Sequence, residues 1–229
     1  DLKKALNYCQ LKRKNKLIFI RLPKLNAFND YYMNKYLNID IEKEELELND
    51  INYIKNSFLT KARIIQMSKQ NNEKRENAVQ YGTNDYVKKK KKKKICIFNM
   101  GSMLYNVVNA IKNIEKDPYF SNLFEFSIID MMFLNPMDTE IINYIIYENK
   151  HNCLITYEDN TIGGFSTHFN NYLIKNNYIS KYNLHVHNIF LPNYPIEHAS
   201  YYEQQQQLEV DESGLALRLK KYLNDSFIF

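Results

Sequence analysis

Four short apolar runs, Ile95 to Met100, Phe124 to Ile129, Cys153 to Tyr157 and Leu184 to Phe190, recur at intervals of roughly thirty residues, the length of one strand-plus-helix repeat. Each is too short for a core helix and is followed by a stretch whose apolar residues fall at helical spacing. After Ser102 that stretch reaches about Ile114. After Asp138 or Thr139 it carries Ile141, Ile142, Ile145 and Ile146. Phe169, Tyr172 and Leu173 mark the third, and Leu215, Leu219 and Tyr222 mark the last, behind Asp211. Ser102, Asp138 and Asp211 are the residue types that cap helix amino termini. Strand and helix alternating four times predict an α/β fold, a mostly parallel sheet with helices on both faces and right-handed crossovers.

The residues ahead of this repeat have a different character. Leu2, Ala5, Leu6, Cys9 and Leu11 give a short helix over residues 2–14, and Leu17 to Ile20 reads as a strand stopped by Arg21-Leu22-Pro23-Lys24. Helix, strand and basic turn look like the tail of a second α/β domain. From residue 29 the pattern decays; Phe58 to Met67 could hold one strand, and Ser68 to Asp85 has almost nothing to bury. Residues 29–94 are therefore expected to be a linker with a low-complexity Lys/Asn-rich insertion, in part disordered. The compact domain is expected over 95–229. The chain starts at Asp1 with no leader-like segment, and the expectation is a piece of a longer polypeptide whose targeting information lies upstream. No apolar stretch approaches the ~20 residues that span a bilayer, so a soluble protein is expected.

Charge misleads unless it is located. The net charge is +5, but seven lysines form one run, Lys88 to Lys94, and without it the rest of the chain stands at −2. Such a run can hold nucleic acid or an anionic membrane. This one has no interleaved aromatics and no groove-reading helix, so a solvated insertion is expected, with neither nucleic acid nor membrane as partner. Cys9, Cys96 and Cys153 form no C-x-x-C pair and read as buried thiols, not a disulfide or zinc set.

The stretch from Leu154 to Phe169 concentrates the candidate chemistry. An apolar run delivers Glu158 and Asp159, then Gly163-Gly164, two of only five glycines, opens a helix. Neighbouring carboxylates on a strand end point apart, which favours capping of the next helix or contact with a neighbouring domain over a paired acid–base catalyst. The glycine pair lacks the spacing of phosphate loops, and tight packing is the better reading. His185 and His187 share a strand face without a third metal ligand, and His168 and His198 read as structural, with an interdomain role open for His198. Arg21 and Lys24 could together grip a phosphate.

Taken in order, these blocks resemble the carboxyl-terminal part of the 1-deoxy-D-xylulose-5-phosphate synthases of the transketolase superfamily. Arg21-Leu22-Pro23-Lys24 resembles R-Y-P-R-G; Ile97 to Ser102 resembles a strand ending in G-T or G-S; Asp130 to Asp138 resembles D-x-R-F-V-K-P-L-D. Thr156 to Asn160 with Gly163-Gly164-Phe165-Ser166 resembles T-x-E-E-N followed by G-G-F-G-S. Leu191 to Ala199 resembles L-P-D-x-F-I-E-H-G, and Val210-Asp211 with Gly214 the closing L-D-x-x-G. The chain departs in Lys24 for the second arginine, Leu25 for the glycine after it and Ala199 for a glycine.

The resemblance implies a transferase that uses thiamine diphosphate and magnesium to join pyruvate and glyceraldehyde 3-phosphate, with loss of carbon dioxide. Its product feeds isoprenoid (terpenoid) precursors and thiamine biosynthesis. It implies that the cofactor site lies upstream of Asp1. Residues 1–28 would then be the tail of the pyrimidine-binding domain and 95–229 the third domain, silent alone. Arg21 and Lys24 would hold the substrate phosphate, Lys24 as a point charge without the bidentate fork. Glu158, Asp159, Asn160, Gly163, Gly164, Phe165 and His198 would lie at a domain interface, with no catalytic residue and no metal ligand in this part. The implied partners are the upstream domains, a second copy in a homodimer and small-molecule substrates, and the pathway implies a plastid. The domain of another transketolase, or of a 2-oxoacid dehydrogenase β subunit, is the nearest alternative; a free nucleotide-binding domain and a basic nucleic-acid module are the others.

Overall fold

The computed structural model describes residues 2–11, 17–20, 60–68 and 91–227. Its centre is a five-stranded sheet, β1 Arg63–Gln66, β2 Lys93–Met100, β3 Phe124–Asp130, β4 Cys153–Glu158 and β5 His185–Ile189, in the order β1-β3-β2-β4-β5. β3, β2, β4 and β5 are parallel, and β1 closes one edge antiparallel to β3. The helices are α1 Leu2–Leu11, α2 Leu104–Glu115, α3 Pro118–Leu123, α4 Thr139–Tyr147, α5 Phe165–Lys175, α6 Tyr178–Lys181, α7 Tyr201–Gln207 and α8 Glu212–Phe227.

The alternation along the central strands decides which helix covers which face. Ile95 and Ile97 of β2 face one core with Ile111 of α2, Phe120 of α3 and Leu219 of α8; Cys96 and Phe98 face the other with Ile145 of α4 and Phe169 of α5. Both faces of β2 and β4 are dry, which is why their runs read as continuously apolar. Cys96 and Cys153 end up on opposite faces as free, buried thiols, and burial raises Cys153 to about 12 and Cys96 as well.

Several local expectations change in the fold. Leu17 to Ile20 has no strand partner among the described residues, and Leu17 and Phe19 are exposed. Asp138 caps α4 as its sequence position suggests, accepting from Glu140 N and Ile141 N, and also accepts from Ala62 N at 2.9 Å. Ser102 does not cap α2; Met103 stands at that position without a side-chain bond. β1 falls inside Phe58 to Met67, the run that could hold one strand, and pairs with the sheet although residues 29–94 as a whole are expected as linker; the lysine run enters the sheet, since β2 begins at Lys93.

That entry is held by a buried polar cluster at the amino ends of the strands. Lys94 is 7% exposed, and its Nζ donates to Asn149 O at 3.2 Å and Oδ1 at 3.3 Å. Asn149 Nδ2 reaches Met67 Sδ, and Ser68 N donates to Ser127 Oγ at 2.9 Å. His151 Nε2 lies 3.0 Å from Ser127 Oγ and 3.3 Å from Ser68 Oγ. The cluster therefore ties Ser68, two residues past β1, and Lys94, the second residue of β2, to one spot.

Burial pushes His151 down to about 4, and the Lys94 ammonium pushes the same way, against the Ile145 carbonyl. An unfolded chain takes up this proton near 6.5, so between 6.5 and 4 the unfolded state binds more protons and stability falls as pH falls. His151→Gln is expected to remove about 2–3 kcal/mol of the stability loss between pH 7 and 4.5. Urea denaturation of both proteins across that range measures it, and equal pH slopes would contradict the assignment.

Candidate functional site

Because four strands are parallel, the loops that follow them crowd one rim of the sheet. α2 leaves β2 toward one core and α5 leaves β4 toward the other, so the gap between the ends of β2 and β4 is the switch point where ligands collect in open α/β sheets. Glu158 and Asp159 stand there, and they do point apart.

Glu158 is 2% exposed and turns toward α5. Its Oε2 accepts from Phe165 N at 2.7 Å and its Oε1 from Ser166 N at 2.9 Å, so a buried carboxylate spends both oxygens on the helix amino terminus. Gly164 makes this possible: a Cβ there would overlap the Glu158 carboxylate and crowd Asn160 Nδ2. Gly163, at φ +104°, has open space around it, and its N donates to Thr167 Oγ1. Phe165 packs on Phe169, which packs on Phe98, and is buried.

Asp159 turns the other way, across the switch point. Its Oδ2 accepts from Ser102 N at 3.2 Å and Ser102 Oγ at 2.9 Å, and its carboxylate occupies the space a Cβ on Gly101 would need. This is where a phosphate group would meet a loop and helix in such a fold. The chain supplies its own anion instead, so a diphosphate cofactor does not fit the residues that are described. Among them no group of three or more His, Cys, Asp or Glu is placed to hold a metal ion.

The other named positions fall as follows. Asn160 is exposed, and its carbonyl accepts from Leu191 N, joining the loops after β4 and β5; His198 is exposed in the second of these loops. His185 packs edge-on to Phe227, and His187 stacks on Tyr222 with ring centroids 4.1 Å apart, so both serve the contact with α8. Arg21 and Lys24 lie outside the described residues. Thus Glu158, Gly164 and Phe165 shape the rim from inside, while Asn160, Gly163 and His198 are on its surface. Sequence reasoning misses a third group: Asn99 donates to Asp130 Oδ1 at 3.2 Å, and Arg63 reaches Asp130 Oδ2 at 3.3 Å, at the ends of β2, β3 and β1. Asp130 at a strand end is a visible signal, and Arg63 lies in the Phe58 to Met67 run, but nothing local in the sequence pairs the two.

The outer surface of the rim exposes three large side chains among polar residues such as Asn160, Asn193 and Glu197. Ile162, Tyr194 and Tyr202 are 62%, 64% and 64% exposed on the loops after β4 and β5 and at the start of α7. α1 meets the same rim, with Tyr8 edge-on to Phe133 just after β3 at 5.6 Å.

Residues 85–215 match the family described as transketolase, C-terminal domain. A 1-deoxy-D-xylulose-5-phosphate synthase of Baumannia cicadellinicola subsp. Homalodisca coagulata is 31% identical over 131 residues, covering 57% of this chain and 18% of that protein. Synthases of the same name from Colwellia psychrerythraea and Buchnera aphidicola are 29% and 30% identical over 133 and 132 residues, covering 58% and 57% of this chain and 19% and 20% of those proteins. The chain thus spans about a fifth of the length of the curated relatives it matches.

Gly164→Ala is expected to cost about 3 kcal/mol, because the buried Glu158 loses its donors. Gly163→Ala, which meets only backbone strain, should cost about 1–2 kcal/mol. Urea midpoints rank the two, and a Gly164→Ala protein as stable as the parent would overturn this account of the cap.

Proposed function

Because the chain belongs to the transketolase C-terminal domain family, we propose that it is the carboxyl-terminal part of a thiamine-diphosphate-dependent 1-deoxy-D-xylulose-5-phosphate synthase. The complete enzyme joins pyruvate and glyceraldehyde 3-phosphate into 1-deoxy-D-xylulose 5-phosphate and carbon dioxide. Its product feeds isoprenoid precursors and thiamine. The cofactor, when bound, supplies the carbanion chemistry, and the protein orients it. Residues 91–227 act as a docking domain for an active centre built by residues ahead of Asp1. Arg21 and Lys24 belong to the preceding domain and receive the substrate phosphate.

One observation carries the docking role. At the switch point the carboxylates that could have served chemistry are engaged by the chain itself, Glu158 by α5 and Asp159 by Ser102, and the rim outside them exposes large side chains and meets α1 through Tyr8. Exposed Ile162, Tyr194 and Tyr202 are suited to burial against another domain or a second copy. The pathway, and not the fold, is the ground for a plastid location. No helix among the described residues is long and apolar enough to cross a membrane.

Two measurements test the reading. Calorimetric titration of the 229-residue chain with thiamine diphosphate and magnesium should give no binding heat, and micromolar binding would refute an upstream cofactor site. In the full-length enzyme, Ile162→Asp should lower activity and raise hydrogen exchange around Asn160 to Gly164. Unchanged exchange there would remove the docking surface from the proposal.

A further inference from the structure

The rim opposite the docking surface is basic, and the lysine run feeds it. Lys91, Lys92 and Lys93 are exposed at the start of β2, Lys150 is exposed just before β4, and Lys175 and Lys181 are exposed where α5 and α6 end ahead of β5. Burial holds the Lys94 pKa below the usual lysine value against the nearby Glu125 carboxylate, and Lys91 and Lys150 push it the same way as burial. The rim's carboxylates are fewer than its lysines: Asp117 holds Lys220 at 2.8 Å and Glu115 accepts from Gln66, while Glu148 beside Tyr147 and Asp225 in the last turn of α8 are exposed.

Part of this pattern has a plain cause. A parallel α/β sheet gathers helix carboxyl termini at its amino rim, and Lys112, Lys175 and Lys181 sit in the last turns of α2, α5 and α6, where cations are favoured. That cause does not reach Lys91 to Lys93, which precede a strand, or Lys150, which sits in a loop at φ +56°.

The run itself contains no aromatic residue; Lys93 lies over the Phe227 ring on one face of the sheet, and on the other face tyrosines gather beside Lys150. Tyr147 packs on Tyr178 at 5.4 Å and on Tyr182 at 5.1 Å, and Lys181 lies over the Tyr182 ring. Beside them opens a cavity of about 560 Å³ lined by Ile146, Tyr147, Lys150, His151, Asn152 and Tyr182. It offers half-buried ring surface, a cation and an amide within the size range of small-ligand sites. We propose that this rim binds single-stranded nucleic acid, with Lys91, Lys92, Lys150 and Lys181 on the phosphates and a base seated against Tyr147 and Tyr182. Stacking surfaces inside a basic field are what sequence-tolerant single-strand binders use. A lipid surface would need the lysines but would make no use of the tyrosine-walled cavity.

The test is fluorescence anisotropy of the full-length protein with a labelled oligouridylate of about 20 nucleotides. Binding is expected, with log K falling linearly in log salt concentration. Lys150→Glu combined with Lys181→Glu should weaken it by at least about tenfold and flatten that slope. Tyr182→Ala should weaken it by about tenfold at an unchanged slope. Because Tyr182 also packs on its neighbours, circular dichroism accompanies that variant, and the charge reversals stand as an independent arm. No binding at low salt overturns the proposal, as does binding to phosphatidylserine vesicles without binding to the oligonucleotide. An undiminished affinity in folded Tyr182→Ala also overturns it, leaving only charge adsorption.

Discussion

A carboxylate buried between a strand and a helix sets the architecture of the described domain. Glu158 ends β4, and instead of reaching solvent it accepts two bonds from the first turn of α5. Removing a charge from water is costly, and the return comes from two charge-assisted bonds and the positive end of the helix, both available at one distance and one angle. The helix is thereby fixed over the end of its strand, Phe165 is driven into the core, and the backbone between must turn tightly enough that position 164 has no room for a side chain. Everything the rim presents outward, from Asn160 to Gly163, is what remains of the connection once its two ends are fixed.

The paired carboxylate shows the same economy on the other side of the switch point. Asp159 meets Ser102 where open α/β sheets commonly receive a phosphate, and Gly101 is the glycine that leaves space for it. A fold with the general layout of a nucleotide binder has thus closed its own crevice, which fits a domain that supports chemistry located elsewhere. Shared layout is no guide to function here; the occupants of the crevice are.

How much of this is legible in the sequence depends on the range of the interaction concerned. The four strand–helix repeats, the cap at Asp138 and the opposing directions of Glu158 and Asp159 follow from local pattern and alternation, and they appear in the fold. Ser102 has the residue type and position of a cap, yet it is drawn to a carboxylate fifty-seven positions away, and propensity yields to that partner. β1 falls in Phe58 to Met67, a run that could hold a strand, but its place in the sheet is fixed by Asp130, Asp138 and Ser127, none of which is near it in sequence. Lys94 is the clearest case. As the last of seven identical residues it carries no signal of its own, and only Asn149 distinguishes it from Lys91.

That last contrast bears on how a low-complexity insertion can persist in a packed domain. The insertion is bounded by Ser68 and Lys94, and both are bonded into the cluster of Ser127, Asn149 and His151 at the amino ends of the strands. Two strand spacings, about 10 Å, separate β1 from β2 across β3. Closing a longer loop between fixed points adds only about 0.6 kcal/mol for each doubling of its length, so residues can accumulate there at little expense to stability once the two ends are held. The buried cluster also fixes which lysine of the run enters the sheet, since a slip by one residue would send Ile95 to the wrong face and turn Lys94 toward the Ile97 core. The same contacts that make the insertion tolerable therefore give the run a fixed register, and a row of otherwise interchangeable charges acquires a defined position beside Lys150 and the tyrosines.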